Sequence, residues 1–118
     1  MTTTTTDCLF CRIIAGDIPS ERVHDDDAVV AIDDIHPVAP VHQLILPRRH
    51  VVSAADLTAE DGPLLGRMFE VAAELARAAG LPERGYRIVT NVGADAGQSV
   101  PHLHLHLLGG RHLSWPPG

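Results

Sequence analysis

The sequence predicts a single mixed domain of five short strands and one long helix. Histidine and leucine alternate over residues 102–107, and a period of two is typical of a β-strand with one buried face. Residues 58–79 carry apolar side chains at helical spacing. Four further apolar segments are bounded by turn residues, as short strands are. At 118 residues the chain is long enough to fold as one domain without disulfides.

Composition restricts the classes of partner. The formal net charge is −6, which argues against a nucleic-acid polymer or an anionic membrane as the main partner. No apolar run reaches about 18 residues, so we expect a soluble, cytoplasmic protein. Residues 1–6 are mostly threonine and have nothing to bury. We therefore expect a disordered leader over 1–6 and a single domain over 7–118.

A short helix is predicted at the start of the domain. It would lie between Asp7, a candidate N-cap, and Gly16. Cys8 and Cys11 fall in its first turn. Their C-x-x-C spacing allows three interpretations: half of a zinc site, a redox pair, or two buried small side chains. A redox pair would prefer a preceding strand in a βαβ unit, which the sequence does not offer.

The next strands are predicted over residues 21–24, 28–32 and 42–47, and the acidic turn 25–27 joins the first two. Asp33 and Asp34 end the second strand, where they form a solvated turn or meet a ligand hydroxyl. Arg48, Arg49 and His50 close the third strand. That cluster is usually solvated surface, but His50 also becomes a candidate metal ligand beside a C-x-x-C pair.

The long helix over residues 58–79 is predicted to be scaffold. Thr58 and Asp61 have the spacing of a capping box, and Gly80 stands where a helix commonly ends. A fourth strand over 86–90 follows and leads into a loop of small residues. This loop spans residues 93–99 and ends at Ser99. Its small side chains let backbone amides come close to an anion, and the serine adds a hydroxyl.

The histidine run itself is the fifth predicted strand, with imidazoles on one face and leucines on the other. Alternate residues lie about 6.5 Å apart and can share a metal ion, whereas His102 and His106 would be about 13 Å apart. At most two of the three histidines therefore share one metal. A neutral imidazole can also attack phosphorus near neutral pH, which makes a phosphoramidate a chemically matched substrate. A half-exposed polar strand is the remaining alternative.

The only tryptophan, Trp115, is the fourth residue from the end. A large apolar ring gains nothing on a frayed terminus. We therefore expect it to dock on its own domain or on a second subunit.

The motifs together resemble the histidine-triad (HIT) family, in its Hint branch of purine-nucleotide phosphoramidases. The resemblance is carried by the alternating run from His102 to Leu108 and by Gly97-Gln98-Ser99-Val100 before it. It extends from Cys8 to Gly118 and includes the Trp115-Pro116-Pro117-Gly118 tail. It implies an α+β domain with a five-stranded antiparallel sheet, one long and one short helix, and a homodimer whose sheet has ten strands.

The resemblance also implies a reaction and the residues that perform it. His104 resembles the family's nucleophile, His106 the residue that orients phosphate, and His42 a histidine near the leaving group. Ser99 resembles the hydroxyl that helps protonate the amine. The implied nucleotide-binding residues are Phe10, Ile13, Ile32, Asp34, Ile35, Asn91, Gly97, Gln98, Ser99, Val100, His104 and His106, with Asp34 receiving the ribose and Gln98 and loop amides the phosphate.

A structural zinc ion is implied by the family's metal-binding members, at Cys8, Cys11, His50 and His102. No catalytic metal is implied. One departure is Ile32, where members of the branch often carry an aromatic residue, and this leaves purine selectivity open.

The function expected from this resemblance is hydrolysis of the P–N bond in purine nucleoside 5′-phosphoramidates through a nucleotidyl-histidine. The alternatives are a dinucleoside-polyphosphate hydrolase and a non-catalytic nucleotide-binding or interaction protein.

Overall fold

A five-stranded antiparallel sheet carries the histidine run, in a computed structural model that describes residues 7–118. The predicted leader over 1–6 lies outside the described residues. The strand order is β1-β2-β3-β5-β4, and every neighbouring pair is antiparallel. The predicted five strands and single long helix are confirmed. The strands are β1 (Arg22–Asp25), β2 (Val29–Asp33), β3 (Val41–Pro47), β4 (Tyr86–Val89) and β5 (Leu105–Gly109).

The long helix α2 (Gly62–Ala78) covers one face of the sheet. A 3-10 turn, Ala59–Asp61, precedes it, so the α-helix begins later than residue 58. The predicted cap is present, because the Asp61 carboxylate accepts from the Thr58 amide at 2.8 Å. The helix ends before Gly80, whose φ of +72° favours glycine. Its buried residues pack against all three leucines of the alternating run, Leu103, Leu105 and Leu107.

The short helix α1 (Leu9–Ile14) covers the other face. Its Phe10 and Ile13 are buried against side chains of β2 and β3. The predicted cap at Asp7 is wrong: Cys8 is the N-cap, and its sulfur accepts from the Cys11 amide at 3.4 Å. Both cysteines therefore lie at the start of α1.

The histidine run is a strand only in its second half, because β5 begins at Leu105 rather than at His102. Before that point, other groups replace the sheet's hydrogen bonds. The Leu103 amide donates to the Val51 carbonyl at 2.6 Å, and the Thr90 hydroxyl donates to the His104 carbonyl at 2.8 Å. The two faces nevertheless persist, since the leucines lie in the α2 core and the imidazoles lie opposite them.

Trp115 does not dock on its own domain, because 81% of its surface is exposed. The expectation that this ring docks on a second subunit stays a prediction. Within residues 7–118, no helix is both long and apolar enough to span a membrane.

Candidate active site

His104 is buried and held in a defined orientation. It is 5% exposed, and its Nδ1 lies 2.7 Å from the carbonyl oxygen of His102. A carbonyl can only accept, so Nδ1 carries the proton and Nε2 keeps its lone pair. The Phe10 ring meets the imidazole edge-on, with the ring centroids 5.0 Å apart. The result is a fixed imidazole whose free nitrogen is available to a ligand.

His106 is oriented by a chain of hydrogen bonds that begins at the main chain. The Val38 amide donates to Nδ1 of His42 at 3.1 Å, so a neutral His42 carries its proton on Nε2. That nitrogen lies 2.9 Å from Nδ1 of His106, which must then accept. His106 in turn carries its proton on Nε2. It therefore presents a donor where His104 presents a lone pair.

Asp34 adds a carboxylate to this chain. One oxygen lies 3.3 Å from Nε2 of His42, and the other accepts from the His36 amide at 2.8 Å. Asp34 is therefore bonded both to its own turn and to the imidazole chain. The carboxylate lies at the end of β2, where the sequence placed a candidate partner for a ligand hydroxyl.

Burial keeps the imidazoles of the run neutral. Desolvation lowers the pKa of His104 below its ordinary value, although the hydrogen bond to the His102 carbonyl acts the other way. Burial lowers the pKa of His106 to about 4, and the neighbouring His104 and His42 add to the effect. At neutral pH the site therefore offers one nucleophilic nitrogen and one neutral donor rather than two cations.

A cavity of about 240 Å³ opens in front of these imidazoles. The structure brings most of the predicted binding residues to its wall, together with Asp33, which the sequence offered with Asp34 as a partner for a ligand hydroxyl. It adds three residues that the sequence did not single out. Of these, Leu9 could have been found, since it stands four residues before Ile13 on one helix face. The predicted residues on the wall are Phe10, Ile13, Ile32, Asp34, Ile35, Ser99, Val100, His104 and His106, and the three added ones are Leu9, His36 and Leu44.

The remaining predicted residues do not line this cavity. His42 is buried behind His106, and Asn91 and Gly97 belong to the preceding loop. The Gln98 amide is bonded to the main chain at both ends: Nε2 donates to the carbonyls of Val52 and Val100 at 2.7 and 3.1 Å. Its Oε1 accepts from the Gly93 amide at 2.9 Å. Gln98 therefore fixes the loop that ends at Ser99.

A second cluster lies beside the first, and its four members are those expected to bind zinc. The ligand atoms of Cys8, Cys11, His50 and His102 lie within 4.8 Å of one another. Nδ1 of His50 is 3.2 Å from Nδ1 of His102 and 3.2 Å from the Cys11 sulfur. Nδ1 of His102 is 3.3 Å from the Cys8 sulfur and 3.5 Å from the Cys11 sulfur. Tetrahedral zinc would place two such nitrogens about 3.3 Å apart, and a nitrogen and a sulfur about 3.6 Å apart.

The chemistry of this donor set also fits a cation. Nε2 of His102 lies 2.9 Å from the Pro47 carbonyl, so its proton is there and Nδ1 is left as a ligand. Burial raises the pKa of the Cys11 thiol to about 11. A thiolate at neutral pH therefore needs a nearby cation. Asp34, His42 and His106 form another close group, but there the two imidazoles already satisfy each other by a hydrogen bond.

Comparison with known proteins identifies the same family that the sequence motifs resemble. The HIT domain model matches residues 15–113. The chain belongs to the HIT domain family. It is 46% identical over 112 residues to an uncharacterised HIT-like protein of Synechococcus elongatus, covering 95% of this chain and 97% of that one. It is 47% identical to the purine nucleoside phosphoramidase of Escherichia coli K12 over 105 residues, or 89% of this chain and 88% of the relative.

A solved structure agrees with this placement. The crystal structure of a HIT family hydrolase from Legionella pneumophila superposes with a TM-score of 0.92 at 49% identity. The match covers 94% of this chain and 99% of the Legionella chain. This HIT domain therefore has the fold of its relatives over nearly its whole length.

The lowered pKa of His106 has a consequence for stability. Because the unfolded imidazole has a pKa near 6.5 and the folded one about 4, the unfolded chain binds more protons between those values. The free energy of unfolding should therefore fall as pH drops from 6.5 towards 4. His106→Gln should make this decline shallower in denaturant titrations at several pH values. An unchanged pH dependence in the variant would contradict the account.

Proposed function

We propose that this HIT domain hydrolyses purine nucleoside 5′-phosphoramidates, AMP- or GMP-linked amines, through a covalent nucleotidyl-histidine. The observation that carries the proposal is the state of His104. Its Nδ1 is tied to a main-chain carbonyl, and its other nitrogen faces a cavity. The name of the Escherichia coli relative, purine nucleoside phosphoramidase, supports the same substrate class.

In the first step, Nε2 of His104 attacks the phosphorus and the bond from phosphorus to the amine breaks. The new P–N bond turns the ring into an imidazolium, whose charge the His102 carbonyl stabilises through Nδ1–H. The departing amine needs a proton. Ser99 lies on the cavity wall and can deliver one. In the second step, water attacks the phosphorus and the bond from phosphorus to Nε2 of His104 breaks, which restores the neutral imidazole; the proton released by the water returns to Ser99, and the nucleotide leaves.

The surrounding residues position the nucleotide for this reaction. Nε2–H of His106 donates to a phosphate oxygen, and His42 holds that imidazole from behind. Asp34 receives the ribose hydroxyls at the end of β2. The apolar side chains of Ile13 and Ile32 enclose the base. Positioning of this kind lowers the barrier, because the reacting atoms meet without a further loss of freedom.

Replacement of the nucleophile tests this reaction. His104→Ala should lower turnover of adenosine 5′-phosphoramidate by roughly 10³-fold or more, since the covalent route is lost. Rapid-quench mass spectrometry of the wild type should find an added AMP mass on the peptide that contains His104. The adduct should decay at the turnover rate.

Three outcomes would count against the proposal. Equal turnover by wild type and His104→Ala would exclude the covalent mechanism. A wild-type protein that binds AMP but turns over neither this substrate nor diadenosine polyphosphates would favour a nucleotide-binding protein. Turnover of diadenosine polyphosphates alone would favour the polyphosphate-hydrolase alternative.

We further propose that Cys8, Cys11, His50 and His102 hold one structural zinc ion. The ion supplies no chemistry to the reaction; when bound, it joins α1, the end of β3 and the segment before β5. The His102 carbonyl accepts the hydrogen bond from Nδ1–H of His104, and the lone pair on Nδ1 of His102 faces this cluster. The zinc ligand is therefore the residue that orients the nucleophile.

Protein that has never met a chelator should contain about one zinc per chain by elemental analysis. Cys11→Ser should lose the metal and unfold at a lower temperature, because one of four ligands is missing. Cys8 is less suitable for this test, since its sulfur also caps α1. Absence of stoichiometric metal from the wild type would contradict the zinc assignment.

A homodimer is the third proposal, with the β4 edges of two chains joined into a ten-stranded sheet. β1 and β4 are the edges of the sheet. The β1 ladder is irregular between Arg22 and His24, and such irregularities discourage pairing. The exposed Trp115 also needs a surface to cover it. A monomeric mass in sedimentation at micromolar concentration would contradict the dimer.

A further inference from the structure

The active-site cavity continues outward into a larger one. This outer cavity has a volume of about 460 Å³ and shares six lining residues with the inner cavity, so the two form one groove. The imidazoles and Ser99 line only the inner part. The outer part is lined by Ile18, Pro19, Ser20 and Glu21 in addition to the six shared residues, Leu9, Ile13, Ile32, Asp33, Asp34 and Ile35.

The outer end of this groove carries a carboxylate, Glu21, that is not paired with another side chain in the described part of the chain. Glu21 is exposed and has no hydrogen bond or ion pair with any other residue of 7–118. Its neighbour Arg22 points away, towards Asp25 and the carbonyls of Ile13 and Ile14. Asp33, also on the groove, accepts from the Gln43 amide at 3.3 Å. Glu21 is thus the available carboxylate at the end farthest from the imidazoles.

The apolar middle of the groove fits a flat base. Ile13 and Ile32 are buried, whereas Ile35 is 86% exposed and lines the same groove. A nucleotide with its phosphate at His104 and its ribose at Asp34 has its base in this apolar middle. The edge of the base opposite the sugar then points towards Glu21.

We infer that Glu21 selects guanine over adenine by accepting hydrogen bonds from the edge of the base; this inference rests on the proposed function. Guanine presents two donors on that edge, N1–H and the 2-amino group, and a carboxylate can accept from both. Adenine presents one donor and the lone pair of N1, which a carboxylate repels. A bidentate contact of this kind discriminates between bases by roughly 5- to 150-fold.

The test compares the binding of GMP and AMP by calorimetry. Wild-type protein should bind GMP at least about 5-fold more tightly than AMP. In Glu21→Gln the amide matches adenine instead, since it donates to N1 and accepts from the 6-amino group. The variant should therefore bind GMP more weakly and AMP more tightly than wild type. A purely structural role would weaken both.

Glu83→Gln is the matched control, because it removes the same charge from an exposed residue that lines neither cavity. It should keep the wild-type preference. Equal affinities of wild type for GMP and AMP, or an unchanged ratio in Glu21→Gln, would overturn this inference while leaving the proposed function intact. Failure of the folded wild type to bind either nucleotide would overturn both.

Discussion

The hydrogen bond from His104 to the carbonyl of His102 is the constraint on which the site depends. Without an acceptor for Nδ1, a neutral imidazole could carry its proton on either nitrogen, and the lone pair of the proposed nucleophile would be on Nε2 only part of the time. The carbonyl is available because the chain has not yet entered β5 at this point. The local departure from regular strand geometry therefore fixes the tautomer of the second histidine.

The same principle gives each histidine of the run a different task. Three similar side chains differ because different groups contact them: the Pro47 carbonyl for His102, the His102 carbonyl for His104, and His42 for His106. One is left with a lone pair towards the cysteines, one with a lone pair towards the cavity, and one with a donor. The leucines between them anchor the segment in the α2 core. Because the alternating leucines are buried, the three imidazoles between them are held on one face of a well-packed segment.

The sequence predicted the parts of this arrangement that depend on local pattern. Five strands, the long helix with its cap and the face of the leucines follow from periodicity and turn residues. The start of β5 could not be predicted, because Val51 and Thr90 end the ladder from distant positions. The cap at Cys8 competes with a better candidate at Asp7 and depends on where the sulfur lies. The hydrogen-bond partners of Gln98 and Glu21 could not be predicted either. In the fold, the Gln98 amide bonds to main-chain groups, whereas the Glu21 side chain lines the outer cavity.

Tautomer-resolved ¹⁵N NMR of the histidine side chains at neutral pH tests the central claim most directly. We expect His104 to carry its proton on Nδ1, and His102 and His106 to carry theirs on Nε2. The same spectrum would identify His42 as an Nε2–H tautomer. A proton on Nε2 of His104, or rapid exchange between its two tautomers, would contradict the account, because the proposed nucleophile would then lack a fixed lone pair.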